Sequence, residues 1–376
     1  MSSCCERTSQ CGSKPYENHG AQVVALTRKT GGEFFVTAQC LEGESAHGLF
    51  QRVAETVRDL RAHIVSLEAF GLPGRDAGRL RDALGDITWP VTWIEEGCEW
   101  PNPLRGVQVW AVTGADVKPI VLDEAVAGSV FEIDGVQYCR LGGLVPPDLS
   151  RSRAEQTRAV FDRMRAALHV AGMDFGNVIR TWFYNDDMTQ WYGEFNDVRT
   201  TILKEHGVFD GLVPASTGIG GRSISGAALA AGLLAVKAGR RAATAVAIPS
   251  PLQRPAFDYG SSFNRAVELE TGGIRRLFIS GTASIDIGGL TVHIGDVDAQ
   301  VALAMDVVRA ILDSRGMNWG KVTRAIAYFK HNKDAPAFDR CCTLQGIRGM
   351  PVLLANNGIC RDDLLFEIEV DAVAET

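Results

Sequence analysis

The chain has 376 residues, 46% of them hydrophobic and 22% charged, with a net charge of −7. This is the composition of a folded globular protein with room for two or three domains. The negative balance excludes broad phosphate-backbone binding, so no nucleic-acid partner is expected. No apolar run approaches the ~20 residues of a membrane span.

Residues 1–20 lack the apolar core of a signal peptide and read as a disordered tail. Nine cysteines, odd in number and scattered, predict reduced thiols in a cytoplasm. Cys4, Cys5 and Cys11 have no matching Cys/His pair at finger spacing, so no metal site is expected.

From residue 21 the elements repeat. "EFFVTAQC" reads as a strand, and Phe50, Val53, Val57, Leu60, Ile64 and Leu67 form a helical stripe. "GRDAGRLRDALG" is the second helix of this copy, and "PVTWIEEG…GVQVWAVTG" its proline loop and closing strand. The next copy opens on the strand "VQYCRLGG", followed by a helix with the stripe Val160, Phe161, Met164 and Leu168. Then come "GMDFGNVIRTWFY", the helix "WYGEFNDVRTTIL", the loop "PASTGIGG" and the closing strand "GLLAVKAG". The last copy repeats the order: "LFISGTAS", a helix striped by Leu303, Val307, Val308 and Ile311, "GMNWGKVTRAIAYF", the helix "APAFDRCCTLQG", and a closing segment from Pro351.

Two helices per run of strands predict an α+β unit, with a mixed sheet and helices on one face. The expected units span residues 21–125, 126–245 and 246–376. Three in one chain predict a monomer packed as a pseudo-trimer.

The last strand, from Leu364 to Val373, alternates. Phe366, Ile368, Val370 and Ala372 share its apolar face, and Glu367, Glu369 and Asp371 share the other. The sequence aligns Glu367 with Leu233 and Gln108 of the other closing strands. Glu367 is therefore exceptional within its own chain and is expected to line a pocket, while Glu369 and Asp371 are expected on the surface. A partly buried carboxylic acid with a raised pKa is a general acid at neutral pH.

The repeated Gly-Met-aromatic segments and the closing "EIE" strand resemble the Rid (YjgF-type) family, whose members are usually homotrimers with ligand clefts between subunits. Ordinary Rid proteins place an arginine after the loop proline to hold a carboxylate, and here Ala215 and Val352 stand instead. "PASTGIGG", "DRCC" from Asp339, "TVHIGDVDAQ" around His293 and "RDDLLFEIE" are similar to motifs of the chorismatase branch. "YGSSFNRA" from Tyr259 matches only in part, because an arginine expected soon after Tyr259-Gly260 is missing.

The resemblance implies a cofactor-free enzyme acting on chorismate, a small anionic substrate, with Glu367 protonating the methylene of the enolpyruvyl group. Such a substrate carries two carboxylates. Arg340 on the second helix of the last copy is the first candidate to hold them, since a guanidinium binds a carboxylate bidentately. Tyr259 and Arg265, towards the end of the segment linking the last two copies, are further candidates, and Arg199 is the weakest. The resemblance also makes Cys360 a nucleophile, its thiolate favoured by Arg361 and Arg340, in a branch that forms 3-hydroxybenzoate and pyruvate. Action on a related enolpyruvyl or cyclohexadienyl acid, and a non-catalytic metabolite-binding protein, are the alternatives.

Overall fold

The computed structural model describes residues 15–28, 31–72, 74–95 and 104–376. Cys4, Cys5, Cys11 and the first part of the expected tail lie outside them. Residues 16–18, read from the sequence as tail, form a short strand.

The first sheet is built from β1 (Tyr16–Asn18), β2 (Ala21–Arg28), β3 (Gly31–Gln39), β4 (His63–Phe70), β5 (Val91–Glu95) and β6 (Gly106–Thr113), with α1 (Ala46–Leu60) and α2 (Ala77–Leu84). The second contains β7 (Lys118–Leu122), β8 (Ala125–Ile133), β9 (Val136–Leu144), β10 (Val178–Asn185), β11 (Ala215–Gly220) and β13 (Leu229–Ala238), with α3 (Arg153–Val170) and α4 (Met188–Glu205). Between β11 and β13 the two-residue β12 (Arg222–Ser223) crosses over to pair with β5 of the first sheet. The third comprises β14 (Ala243–Ile248), β15 (Ala266–Thr271), β16 (Ile274–Ala283), β17 (Val322–Phe329), β18 (Val352–Asn356) and β19 (Phe366–Glu375), with α5 (Val297–Ser314) and α6 (Pro336–Gln345).

The three units share one wiring. The closing strand (β6, β13 or β19) inserts in the middle of its sheet, antiparallel to both neighbours. The proline-led segment, read from the sequence as a loop, becomes the short strand β5, β11 or β18, parallel to β4, β10 or β17. These runs are short, five or six residues, and carry no sustained apolar/polar alternation, so period-two reasoning passes over them. Ile64 and Leu67 also depart from expectation. The helix ends at Arg61, whose φ of 51° closes α1, and both residues lie on β4.

Each unit has its own core between sheet and helices. Phe366, Ile368, Val370 and Ala372 of β19, for example, pack with Val301, Val308 and Ile311 of α5. The opposite sheet faces meet in a central core drawn from all three units. At its middle Phe70 lies 6.0 Å from Tyr184 and 6.2 Å from Tyr328, ring centre to ring centre. These three occupy one register position, opposite Gly106, Ala230 and Glu367 of the closing strands. This is the pseudo-threefold arrangement.

The register corrects the sequence alignment. The counterparts of Glu367 are Gly106 and Ala230, and Gln108 instead matches Glu369. The inference drawn from the alignment stands, since neither true counterpart carries an acid.

Candidate active site

Because β19 is a central strand, the acids on its inner face are drawn into the molecule. Glu367, Glu369 and Asp371 are all buried, and Glu369 is fully enclosed. The expectation that Glu369 and Asp371 are surface acids is therefore wrong. Glu369 accepts from Arg180 Nη2 at 2.9 Å, Arg324 Nη2 at 2.7 Å and Trp182 Nε1 at 3.0 Å. Asp371 pairs with Arg324 at 3.0 Å. Their partners stand on β10 and β17, far away in sequence.

Glu367 has no such arginine. It lines a cavity of about 190 Å³ at the junction of the second and third units. Burial, reinforced by the nearby Glu369 charge, pushes its carboxyl up to about 8 against the pull of Arg180 and Arg265. Glu369 behaves oppositely: burial alone would raise it, but Arg324 and Arg180 hold it below the usual carboxylate range. One acid of the pair is thus neutral at pH 7 and its neighbour charged.

The space for Glu367 is made by glycine. The β16–β19 register shifts between Ile279 and Thr282, and a Cβ placed on Gly281 would lie 1.9 Å from Glu367 Oε1. Gly281 N donates to Thr217 Oγ1 at 3.1 Å, and Arg180 donates to the same oxygen. Thr217 of the "TGIG" segment thus joins the cavity floor to the buried ion pairs.

The second unit supplies Tyr192, Asn196 and Arg199 from α4, with Ser216 and Gly218 from β11. The third supplies Tyr259, Phe263, Arg265, Cys360, Arg361 and Glu367. Arg199 is 2% exposed and donates to Asn196 Oδ1 at 2.7 Å. Arg265 donates from Nε to Arg254 O at 3.0 Å and lies over the Tyr259 ring. Arg361 donates to Gly289 O and Thr291 Oγ1. Among the described residues, none of these three guanidinium groups forms an ion pair with an acid. A buried cation without a counter-ion is costly. Arg199 and Arg265 are buried and Arg361 half-buried, and three such groups around one cavity fit a ligand bearing more than one carboxylate.

Two expectations fail. Arg340 does not line the cavity: it is exposed on α6 and grips Asp298 of α5 with two hydrogen bonds of 2.9 and 3.0 Å. The expected thiolate fails as well. Cys360 is present in the cavity, but burial and the Glu367 charge push its thiol up to about 12, against the pull of Arg361. Sequence reasoning also undervalued Arg199, since its place on α4 alone does not reveal that Phe263 of another unit covers it.

The other two junctions are packed shut. At the counterpart of Glu367 between the third and first units, Leu353 Cδ1 lies 2.4 Å from where a Cβ on Gly106 would stand. There Gln39 also bonds both backbone groups of Leu354. Between the first and second units, Thr92 Oγ1 accepts from Gly143 N at 2.9 Å and abuts Gly142.

The family model described as endoribonuclease L-PSP matches residues 141–228, within the second unit. Two chorismatases, from Streptomyces rapamycinicus and Streptomyces hygroscopicus, are each 29% identical over 265 and 263 residues, 63% of this chain and 76% and 74% of theirs. A chorismatase crystal structure superposes with a TM-score of 0.62 at 22% identity, covering 82% of this chain and 92% of that one.

The chain is thus built of three units of one wiring, the second of which matches the L-PSP family model, and its fold is that of the chorismatase structure. In sequence, 63% of the chain is similar to the two Streptomyces chorismatases. Among the described residues no helix is long and apolar enough to cross a membrane.

Proposed function

We propose that the protein cleaves chorismate to 3-hydroxybenzoate and pyruvate in the cavity between its second and third units, without a cofactor. The observation that carries this reading is Glu367, a buried carboxylic acid that keeps its proton at neutral pH beside three guanidinium groups lacking acidic partners. Chorismate has the complementary pattern, with two carboxylates and an enol ether that reacts by accepting a proton on its methylene carbon. Arg199, Arg265 and Arg361 hold the carboxylates, Tyr259 contributes a hydrogen bond, and Glu367 protonates the methylene. The resulting oxocarbenium-like centre lets pyruvate leave.

The atoms of 3-hydroxybenzoate and pyruvate together are those of chorismate, so this route takes up no water. A dihydroxylated diene would require one. Cys360 favours the first route. Its thiol begins protonated, and the Glu367 carboxylate left by the first step is the nearby base for it. As pyruvate leaves with the bridging oxygen, the neighbouring ring hydroxyl closes onto the vacated carbon and loses its proton, giving an arene-oxide-like ring. The thiol passes its proton to Glu367 and the sulfur attacks the carbon that first carried this oxygen, breaking that C–O bond and leaving the oxygen, reprotonated, on the other carbon. Loss of the proton on that other carbon and expulsion of the thiolate, which takes up a proton, then aromatise the ring.

The test is incubation of the full chain with chorismate, with pyruvate followed by a coupled assay and aromatic acids by chromatography. Equal amounts of pyruvate and 3-hydroxybenzoate are expected. Absence of both overturns the reading.

A further inference from the structure

The first unit differs from the others where its first helix ends. All three helices close with the same pair of backbone bonds. Ala62 N reaches Val57 O, Met173 N reaches Leu168 O and Met317 N reaches Leu312 O, each over five residues. The residue before each of these adopts a left-handed conformation. It is Gly172 (φ 68°) in the second unit and Gly316 (φ 65°) in the third, as a helix of this ending prefers. In the first unit it is Arg61, at φ 51°. A residue with a Cβ is disfavoured there.

The segment that follows also differs. In the second unit Met173 and Phe175 turn back under the helices, Phe175 lying 6.1 Å from Phe161 of α3 and 5.0 Å from His206 at the end of α4. Met317 and Trp319 take the same place in the third unit. The first unit lacks this turn, for Arg61 and Ala62 lead directly into β4 at His63. Its second helix is also short, 8 residues against 18 in α4.

What remains is an open cavity of about 450 Å³. Ala54 and Val57 of α1, Ile64, Leu84 and Trp89 give it an apolar floor. Trp89 is 8% exposed, and its buried Nε1 has no hydrogen-bond partner. Arg58, Arg61 and His63 stand along the rim, and among the described residues no acid lines the cavity. Among the described residues neither guanidinium group is paired with a carboxylate.

We infer that this cavity is a second ligand site, specific for a small aromatic carboxylic acid. Its place in the fold is the berth that an aromatic side chain fills in the other two units, which sets the shape of the ligand body. The two arginines set its charge, since a carboxylate meets a guanidinium bidentately. Identification of that acid with the chain's own product, as feedback, rests on the reading of the active site; the existence of the site does not.

The experiment is isothermal titration of the full chain with 3-hydroxybenzoate, on wild type, Arg61→Gly and Arg265→Lys. Arg61→Gly removes the charge yet installs the residue preferred by the helix end, so it is expected to fold at least as stably as wild type. Wild type is expected to bind two molecules per chain, with one site weakened at least ~10-fold in Arg61→Gly and unaffected in Arg265→Lys. Binding that is unchanged in Arg61→Gly, or a single site weakened only by Arg265→Lys, overturns the inference. Turnover of chorismate, measured in parallel, tests the active-site reading separately.

Discussion

Glu367 and Glu369 stand two positions apart on one face of β19 and are held in opposite protonation states. The charge on Glu369, fixed by Arg180 and Arg324, is one of the causes that keep the proton on Glu367. Turnover is accordingly expected to be sustained through neutral pH and to fall as pH rises through about 8, where Glu367 ionises. Glu367→Gln is expected to lower turnover by at least ~10² while keeping the fold. A pH–rate profile and single-turnover kinetics check both.

The same acid has a cost in stability. Its folded pKa is raised from 4.5 to about 8, so the folded state holds the proton more tightly than the unfolded state does. Stability from this group is full below pH 4.5, declines as pH rises towards 8, and is flat above. Glutamine has no proton to lose. Glu367→Gln is therefore expected to gain stability relative to wild type across that window, by on the order of a few kcal/mol at its upper end. Urea unfolding of both proteins at acidic and alkaline pH measures the difference.

Glu369→Gln is expected to behave differently. It would leave Arg180 and Arg324 facing a neutral amide inside the protein, a change that typically costs about 3–5 kcal/mol. Denaturant midpoints will show this loss, so any fall in activity of this variant reports structure as well as chemistry. A wild-type midpoint in Glu369→Gln would contradict the buried network.

These two acids show what the sequence could reveal. Alternation along residues 364–373 separates the apolar face from the acidic one, and the three copies show that Glu367 has no acidic counterpart. The partners of Glu369 could not be seen, because Arg180 lies 189 residues away on another unit. Arg340 misled for the related reason that spacing places it on a helix without fixing the direction of its side chain, and α6 turns it outward to Asp298. Cys360 falls just before the closing strand in the sequence, but its protonation depends on burial that only tertiary packing creates. The repeat itself was legible because amphipathic helices and the Gly-Met turns depend on local pattern alone.

Gly281 permits Glu367 to sit where it does. Gly281→Ala puts a methyl group 1.9 Å from Glu367 Oε1 and 3.0 Å from its Cδ, so the carboxyl must move. A displacement of this size at a reacting group is expected to reduce turnover ~10²-fold, with an overpacking cost of about 1–3 kcal/mol. Steady-state kinetics beside thermal unfolding will separate the two effects. Unchanged turnover would show that Glu367 reacts from another position.

Since one chain supplies all three units, the protein is expected to sediment as a monomer of 40.6 kDa. The junctions packed by Leu353 with Gly106 and by Thr92 with Gly143 take the place of contacts between subunits. Sedimentation equilibrium showing an obligate homotrimer would overturn this arrangement.

The product depends on Cys360. Once Glu367 has triggered loss of pyruvate, the ring meets either water or sulfur. Water gives a dihydroxylated diene, whereas sulfur allows elimination to the aromatic acid. The thiol is protonated at the start, pushed up to about 12, so it reacts only after Glu367 has become a carboxylate able to take its proton. Serine is nearly isosteric, but its hydroxyl is a far poorer nucleophile without a strong base. Cys360→Ser and Cys360→Ala are therefore expected to release pyruvate while losing most 3-hydroxybenzoate, and a diene should appear in its place. Pyruvate and aromatic acid are measured in the same reactions, so the ratio is independent of the amount of active enzyme. A ratio equal to that of wild type would reduce Cys360 to packing. Parallel loss of both products would place the thiol in binding or folding, and only the divergence of the two supports attack by sulfur.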